Sequence, residues 1–273
     1  MTASLTRSWN VEFEKQNLEQ LFNQHAPHIP LIRQQASRPP QTEAEKANFY
    51  EYWAATGGHD LFIVQAASKA IWLIPDPDLH LILSRQIGDD GAHAIAFRER
   101  IIALTGRDPI KDIQREAQRH WDFLEDVPYR NWLGFIAWEL HYEHHILPQV
   151  WFNKLTSLIG DEELAHRSQE QFNDDEAIHR ITIANWWRKK FEQASPSEQS
   201  ELAAQLLELD EEIQQRRAPY IKQRWLDAEN FNGANTKGIE PVYDAWRKQV
   251  ISYLLDIPNP QLSGSSVLSV LNL

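Results

Sequence analysis

The chain has 273 residues, of which 42% are hydrophobic and 24% charged, values typical of a globular protein that can bury a large core. Its 27 basic and 39 acidic residues give a net charge of −12, which argues against nonspecific binding to nucleic acid or to an anionic membrane. The sequence contains no cysteine, which excludes disulfides, iron–sulfur clusters, thiolate zinc sites and thiol nucleophiles. It also has no signal-peptide core and no apolar run of about 18 residues, so we expect a cytoplasmic protein.

Hydrophobic periodicity predicts an all-α fold, and the first part of the chain supplies one helical hairpin. Residues 1–42 form a polar, proline-containing arm with one short helix at about 10–24. Thr42, with a glutamate three residues later, has the form of a capping box and begins a long helix at about 43–73. A second long helix follows at about 78–105.

The next part of the chain repeats this layout. A short helix at about 110–125 leads into a third long helix at about 129–159, which is followed by a fourth at about 161–193. The four long helices predict a bundle over residues 43–193. Residues 194–273 are predicted to add accessory helices and a flexible tail.

Two short motifs each place a carboxylate and an imidazole three residues apart on one helix face. They are Asp90-Gly-Ala-His93 and Glu176-Ala-Ile-His179. The helix before each motif carries one more acid in its apolar stripe, Asp60 in the first hairpin and Glu143 in the second. An unpaired charge is expensive to bury, so buried carboxylates pair with cations or bind metal. Four carboxylates and two histidines on four helices are what a bundle needs to hold two metal ions.

The acids are placed symmetrically about the two predicted turns. In the first hairpin Asp60 and Asp90 are equally far in sequence from Pro75, and in the second Glu143 and Glu176 are almost equally far from Gly160. Residues equidistant from the turn of an antiparallel hairpin lie at the same height. All four acids are therefore predicted to meet at the middle of the bundle.

With this spacing the chain resembles the ferritin-like dimetal-carboxylate superfamily, in which an acid on one helix is followed about thirty residues later by Glu-x-x-His, twice. Here Asp90 follows Asp60, and Glu176 follows Glu143, at close to this interval. The second motif matches fully, and the first has aspartate in place of glutamate. The resemblance implies a ferritin-like four-helix bundle core with additional N- and C-terminal helices.

The resemblance also implies the metal ligands and the type of reaction. One set of three ligands is implied for each metal ion: Asp60, Asp90 and His93 for the first, and Glu143, Glu176 and His179 for the second. The shorter aspartates predict weaker binding by the first set. We expect two iron ions, with manganese as the alternative, in a non-haem di-iron oxygenase or oxidase. Such an enzyme would act on a small organic substrate with dioxygen and an external electron donor.

Neighbouring residues leave alternatives open. Glu139, one turn before Glu143, is the candidate catalytic residue, as a proton relay, or a further ligand. Asp89 is predicted to point to solvent or to Arg85.

The end of the third long helix holds further candidates. An exposed or helix-capping position is the favoured prediction for His144 and His145, with the alternative that one of them faces inward and joins the metal ligands. Pro148 leaves the carbonyl of His144 without its helical partner and predicts a kink beside the site.

Two other functions remain open at this level. One is a metal-free helical protein that binds a partner, and the other is a dimanganese enzyme that dismutates peroxide. No nucleic-acid or membrane partner is expected, a homodimer is compatible with the sequence, and the substrate is not identified by it.

Overall fold

The computed structural model describes residues 8–28, 38–145, 147–148, 161–232 and 237–262. Within these ranges the fold is all-helical and contains no β-strand, so the predicted fold class is confirmed at this level. None of the helices in these ranges combines the length and hydrophobicity that a membrane span requires.

The helices of the described ranges account for most of their residues. In chain order they are α1 (Val11–His25), α2 (Glu43–Leu73), α3 (Pro77–Thr105), α4 (Ile110–Leu124), α5 (Val127–Arg130), α6 (Trp132–His145), α7 (Glu162–Arg167), α8 (Asn173–Gln193), α9 (Pro196–Asn232) and α10 (Ile239–Leu255). One turn of π-helix, Ser168–Phe172, joins α7 to α8. The third predicted long helix corresponds to α6, which begins three residues after the predicted start at 129. Its predicted continuation over 149–159 lies outside the described residues. The predicted flexible tail beyond residue 262 also lies outside them.

The first hairpin begins and turns where the sequence signals predict. Thr42 Oγ1 accepts a hydrogen bond from the Glu45 amide at 3.2 Å, and the Glu45 carboxylate accepts one from the Thr42 amide at 3.2 Å. Asp76 caps α3 by accepting from the Leu79 amide at 3.1 Å, with Pro77 at the first helical position. This tight connection turns α3 back along α2, which brings the middles of the two helices to the same height.

The helix α6 lies at the centre of the molecule. Every residue from Leu133 to His145 is buried. This helix contacts α2 and α8 on one side and α9 and α10 on the other, while α8 also contacts α3. The helices α2, α3, α6 and α8 therefore enclose one core region, and α9 and α10 cover the far side of α6.

The C-terminal end of α6 is held by α10. Since Pro148 has no amide hydrogen, the carbonyl oxygen of His144 lacks its helical donor. The indole Nε1 of Trp246 donates to this oxygen at 2.7 Å. The carbonyl that the sequence leaves unsatisfied thus has a side-chain partner. The predicted kink involves residues 146 and 149 onward, which lie outside the described part of the chain.

A close approach of α4 to α2 depends on Gly58. A Cβ atom at this position would overlap the side chain of Glu116 and lie 2.9 Å from the carbonyl oxygen of Ile113. By contrast, a Cβ atom on Gly88 of α3 would meet nothing within 4 Å. Both glycines lie inside long helices, so they form a matched pair.

Replacing each glycine by alanine should change the free energy of unfolding in opposite directions. Gly88→Ala should raise the free energy of unfolding by about 0.5–1 kcal/mol, because alanine has the higher helix propensity. Gly58→Ala should lower it by about 1–3 kcal/mol, because the added methyl group forces α4 away from α2. Urea denaturation measures both. Equal stabilisation by the two substitutions would contradict the close packing of α2 and α4.

Candidate metal centre

The structure brings the predicted site residues together between four helices. They are Asp60 in α2, Asp90 and His93 in α3, Glu139 and Glu143 in α6, and Glu176 and His179 in α8. All except Glu176 are at most 7% exposed. The side chain of Glu176 is 36% exposed. The centre is therefore buried, and it meets solvent at Glu176.

The tightest group of ligand atoms spans α3 and α8. One ligand atom from each of Asp90, Glu176 and His179 lies within 4.8 Å of the other two. His93 Nδ1 lies 3.4 Å from Glu176 Oε1 and 3.8 Å from Asp90 Oδ1. Asp60 interacts electrostatically with His93, Glu176 and Asp90. Asp90 thus lies close to members of both predicted ligand sets, and the division into two sets of three stays a prediction.

Gln86 of α3 connects the two acids of α6. Its Nε2 donates to Glu143 Oε1 at 2.9 Å, and Gln86 also shares a hydrogen bond with Glu139. The other carboxylate oxygen of each glutamate, Oε2, is buried and has no hydrogen-bond partner among the described residues, and the same holds for Asp90 Oδ2. Unpartnered buried oxygens are costly, and three of them in one region could be satisfied by a bound cation.

Each histidine of the centre contacts an aspartate of the other helix. The aspartate is the residue directly before the motif that this other helix carries. His93 Nε2 lies 3.3 Å from Asp175 Oδ2, and His179 Nε2 lies 3.1 Å from Asp89 Oδ2. A carboxylate in this position accepts the Nε2 proton and leaves Nδ1 with a free lone pair. The Nδ1 of His179 is buried and has no hydrogen-bond partner among the described residues. Metal-binding histidines are commonly oriented by a carboxylate in this way.

Asp175 has no role among the predictions made from the sequence, and Asp89 has only part of its observed role there. The expected contact of Asp89 with Arg85 is present, since Arg85 Nε donates to Asp89 Oδ2 at 3.1 Å. However, Asp89 also holds His179, and Arg85 reaches Asp175 at 3.4 Å. A signal for both acids exists in the chain, because each motif reads acid-acid-x-x-His: Asp89-Asp-Gly-Ala-His93 and Asp175-Glu-Ala-Ile-His179.

The prediction that His144 and His145 are exposed or cap the helix is wrong. They are 0% and 1% exposed. The ring of His144 packs edge-on against Trp9, with the ring centroids 5.1 Å apart. His145 lies against His141 on the side of α6 that faces α9. The hydrophobic pattern of α6 does not reveal these neighbours, because they come from distant parts of the chain.

The helix that carries the second motif is preceded by the π-helical turn. Phe172, the last residue of this turn, packs on the imidazole of His93 with 4.2 Å between ring centroids. A π-helical turn carries one more residue than an α-helical turn and is frequent beside functional sites. The aromatic ring covers one side of His93 and so helps to fix its orientation.

Burial raises the pKa of the acids that lack a cationic partner. For Asp90 and Glu143 the repulsion by Glu176 adds to the effect of burial and holds the pKa well above its ordinary value. Burial also raises the pKa of Glu139 to about 8. With its pKa near 8, Glu139 is mostly protonated at neutral pH when no metal compensates its charge, and the shifts of Asp90 and Glu143 act in the same direction.

Glu176 and His93 form the charged pair of the metal-free centre. Burial opposes the charge on both groups, but the hydrogen bond between them prevails. Together with electrostatic interactions with His179 and Arg180, it lowers the pKa of Glu176 to about 2. The same hydrogen bond, with the negative charge of Glu176, raises the pKa of His93 to about 9.

Arg180 is the nearest arginine that could balance the acids without metal. Its guanidinium group is 7% exposed and makes two hydrogen bonds of 3.0 Å to the carboxylate of Glu14 in α1. Its charge is therefore matched by an acid outside the centre. Lys69 of α2 lies over the ring of Trp121, 4.1 Å from the centroid. Neither residue is positioned to neutralise the whole group of acids.

No protein-family model, curated protein or solved structure matches this chain. The geometry of the centre is therefore the basis for the functional conclusion.

Without metal, the protein should lose stability as the pH rises from 7 to 9. Glu139 and His93 have folded-state pKa values of about 8 and about 9, above their ordinary values of 4.5 and 6.5, so the folded state releases protons across this range. We expect the free energy of unfolding of chelator-treated protein to fall by about 3–4 kcal/mol. Glu139→Gln should remove about 1 kcal/mol of this loss.

The measurement is urea denaturation at several pH values in the presence of a chelator. Glu201→Gln, which changes an exposed glutamate of α9, is the control and should leave the pH dependence unchanged. The buried histidines with lowered pKa, such as His144, do not contribute in this range because they are neutral in both states above pH 7. A stability that does not change between pH 7 and 9 would contradict the assigned burial of Glu139.

Proposed function

We propose that the chain is a ferritin-like dimetal-carboxylate oxidoreductase that binds two iron ions between α2, α3, α6 and α8. It would use dioxygen to oxidise a small organic substrate, with electrons from an external donor. The observation that carries the proposal is the reciprocal support of the two histidines, His93 by Asp175 and His179 by Asp89. Such support directs the remaining ring nitrogens to a shared position among the acids.

The donor atoms fit two divalent ions of the iron or manganese type. They are carboxylate oxygens and imidazole nitrogens, with no thiolate, a mixture that suits these metals. Two such ions carry four positive charges, which neutralise four of the five carboxylates of the centre without the need for protonation. They would also provide partners for the buried oxygens of Asp90, Glu139 and Glu143 and for His179 Nδ1. A metal-free binding protein would gain nothing from this arrangement.

Two iron ions bound here would supply the redox chemistry that activates dioxygen. The residues of the chain would hold the ions in place, provide a path for small molecules to the centre and transfer protons. Glu139 lies one turn from Glu143 in α6, where its carboxylate would relay protons to and from the centre. Glu176 marks the side on which small molecules reach the centre, since its side chain is partly exposed.

The outer edge of the centre is closed by Arg85. Its side chain is 50% exposed, and it bonds both Asp89 and Asp175. One cation thus joins the two acids that hold the histidines. This contact links α3 to α8 and helps keep the rings directed inward.

Iron binding and dioxygen uptake test the proposal. Purified protein treated with ferrous iron without air should bind about two ions per chain and then consume dioxygen when air is admitted. Glu176→Ala and His179→Ala should each remove at least about one ion, because each deletes a ligand. His93→Ala should abolish dioxygen uptake while circular dichroism shows an unchanged helix content.

Two controls accompany these variants. His166→Ala removes a histidine of α7 whose side chain is 67% exposed, and it should bind and react as the unmodified protein does. Asp175→Asn should weaken iron binding about 10–100-fold, whereas Asp174→Asn, which changes the exposed neighbour, should not.

Several outcomes would contradict the proposal. Unchanged iron content and dioxygen uptake in both Glu176→Ala and His179→Ala would show that the ligand assignment is wrong. Selective retention of manganese with release of dioxygen from peroxide would favour the dimanganese enzyme. Absence of both metals under all loading conditions would favour the binding protein.

A further inference from the structure

A second group of metal-binding side chains lies on the other side of α6. His141 and His145 are one helical turn apart, and Asp210 of α9 faces them. The three residues are 1%, 1% and 3% exposed. His141 Nδ1 lies 2.8 Å from Asp210 Oδ1 and 2.8 Å from His145 Nδ1, and the last atom lies 3.5 Å from Asp210 Oδ1. One donor atom from each residue is thus directed to a common point.

Hydrogen bonds alone do not satisfy these three atoms. A proton on His141 Nδ1 can be donated to Asp210 or to His145, but it cannot serve both contacts well. If both Nδ1 atoms carried protons, two N–H groups would face each other at 2.8 Å. One short contact between two nitrogens is therefore left without a good hydrogen bond. A cation that accepts a lone pair from each of the three atoms removes this conflict.

The rest of both rings offers no other explanation for their orientation. The Nε2 atoms of His141 and His145 are buried and have no hydrogen-bond partner among the described residues. All polar contacts observed for the two rings are on the Nδ1 side. Arg247 orients the carboxylate of Asp210. Its Nε donates to Asp210 Oδ2 at 3.0 Å, so that the other oxygen, Oδ1, faces the histidines.

We propose that His141, His145 and Asp210 form a mononuclear transition-metal site, and that Zn²⁺ is the ion it takes. Two histidines four residues apart on one helix face form a common chelating pair for zinc. Two imidazole nitrogens and one carboxylate oxygen supply three of the four positions of a tetrahedral site. The site is separate from the centre formed by the acids, because His141 and Glu143 lie two residues apart and point to opposite sides of α6.

The surrounding charges favour a metal that binds imidazole over one that binds by charge alone. Arg247 contacts Asp210, and the guanidinium group of Arg217 lies 3.6 Å from the ring centroid of the neighbouring Tyr142. Positive charge this close disfavours Mg²⁺ and Ca²⁺, which also prefer oxygen ligands alone. Zinc binds imidazole nitrogens strongly, so the two histidines favour its binding despite these positive charges.

The test measures zinc in a protein that lacks ligands of the first centre. The background variant is Glu176→Ala with His179→Ala, and its zinc content after equilibration with Zn²⁺ and gel filtration is measured by mass spectrometry. Adding His145→Gln should lower the content by about one zinc per chain, as expected for the loss of one site with three protein ligands. Adding His144→Gln is the matched control, because this neighbouring histidine is equally buried but lies against Trp9, and it should leave the content unchanged. Magnesium should not bind at this site in any of these proteins.

A second measurement covers the case in which His145→Gln does not fold. Zinc should raise the melting temperature of the background variant and should not raise that of the background with Asp210→Asn. Zinc content unchanged by His145→Gln, or an equal thermal response with and without Asp210→Asn, would overturn the proposal. Failure of the iron centre would leave these results unaffected, because the background variant already lacks two of its ligands.

Discussion

Buried negative charge between four helices is the constraint on which the rest of this structure depends. Asp90, Glu139 and Glu143 are at most 7% exposed, and each has a carboxylate oxygen without a partner among the described residues. An isolated ionised carboxylate is too costly to bury, so protons or cations must balance these groups. Arg180 is matched by Glu14, and Arg85 lies at the edge. Under the proposed function, bound metal ions would balance these groups, leave the acids ionised and give the histidine nitrogens a partner.

The position of α6 explains how one helix can be buried on all sides and still carry many polar groups. Successive residues of an α-helix point about 100° apart, so neighbours in sequence face different helices. Glu139 and Glu143 face Gln86 and the acids of α8, His141 and His145 face α9, and His144 faces Trp9. The two glutamates, together with His141 and His145, thus meet polar partners from other elements, while His144 packs against an aromatic ring. The same arrangement places the two groups of candidate metal ligands on different faces of α6.

The sequence predicts the helices well because their ends depend on local chemistry. The capping box at Thr42 and the prolines at 75 and 77 act within a few residues, and α2 and α3 begin and end beside them. The meeting of Asp60 and Asp90 follows from their equal distance to the turn. The burial of His144 and the role of Asp175 depend instead on which distant helices cover each face. Periodicity within one helix contains no information about those partners, although the repeated acid-acid-x-x-His pattern offered a signal for Asp175.

The central claim is that the acids and histidines of α2, α3, α6 and α8 hold two metal ions. Anomalous diffraction at the iron edge, from crystals of protein loaded with ferrous iron without air, tests it most directly. We expect two peaks about 3.5–4 Å apart, as in other two-metal sites. They should lie among the carboxylates of Asp90, Glu143 and Glu176, within bonding distance of His93 and His179 Nδ1. Well-ordered side chains at these positions with no peak between them, or peaks only at the protein surface, would contradict the claim.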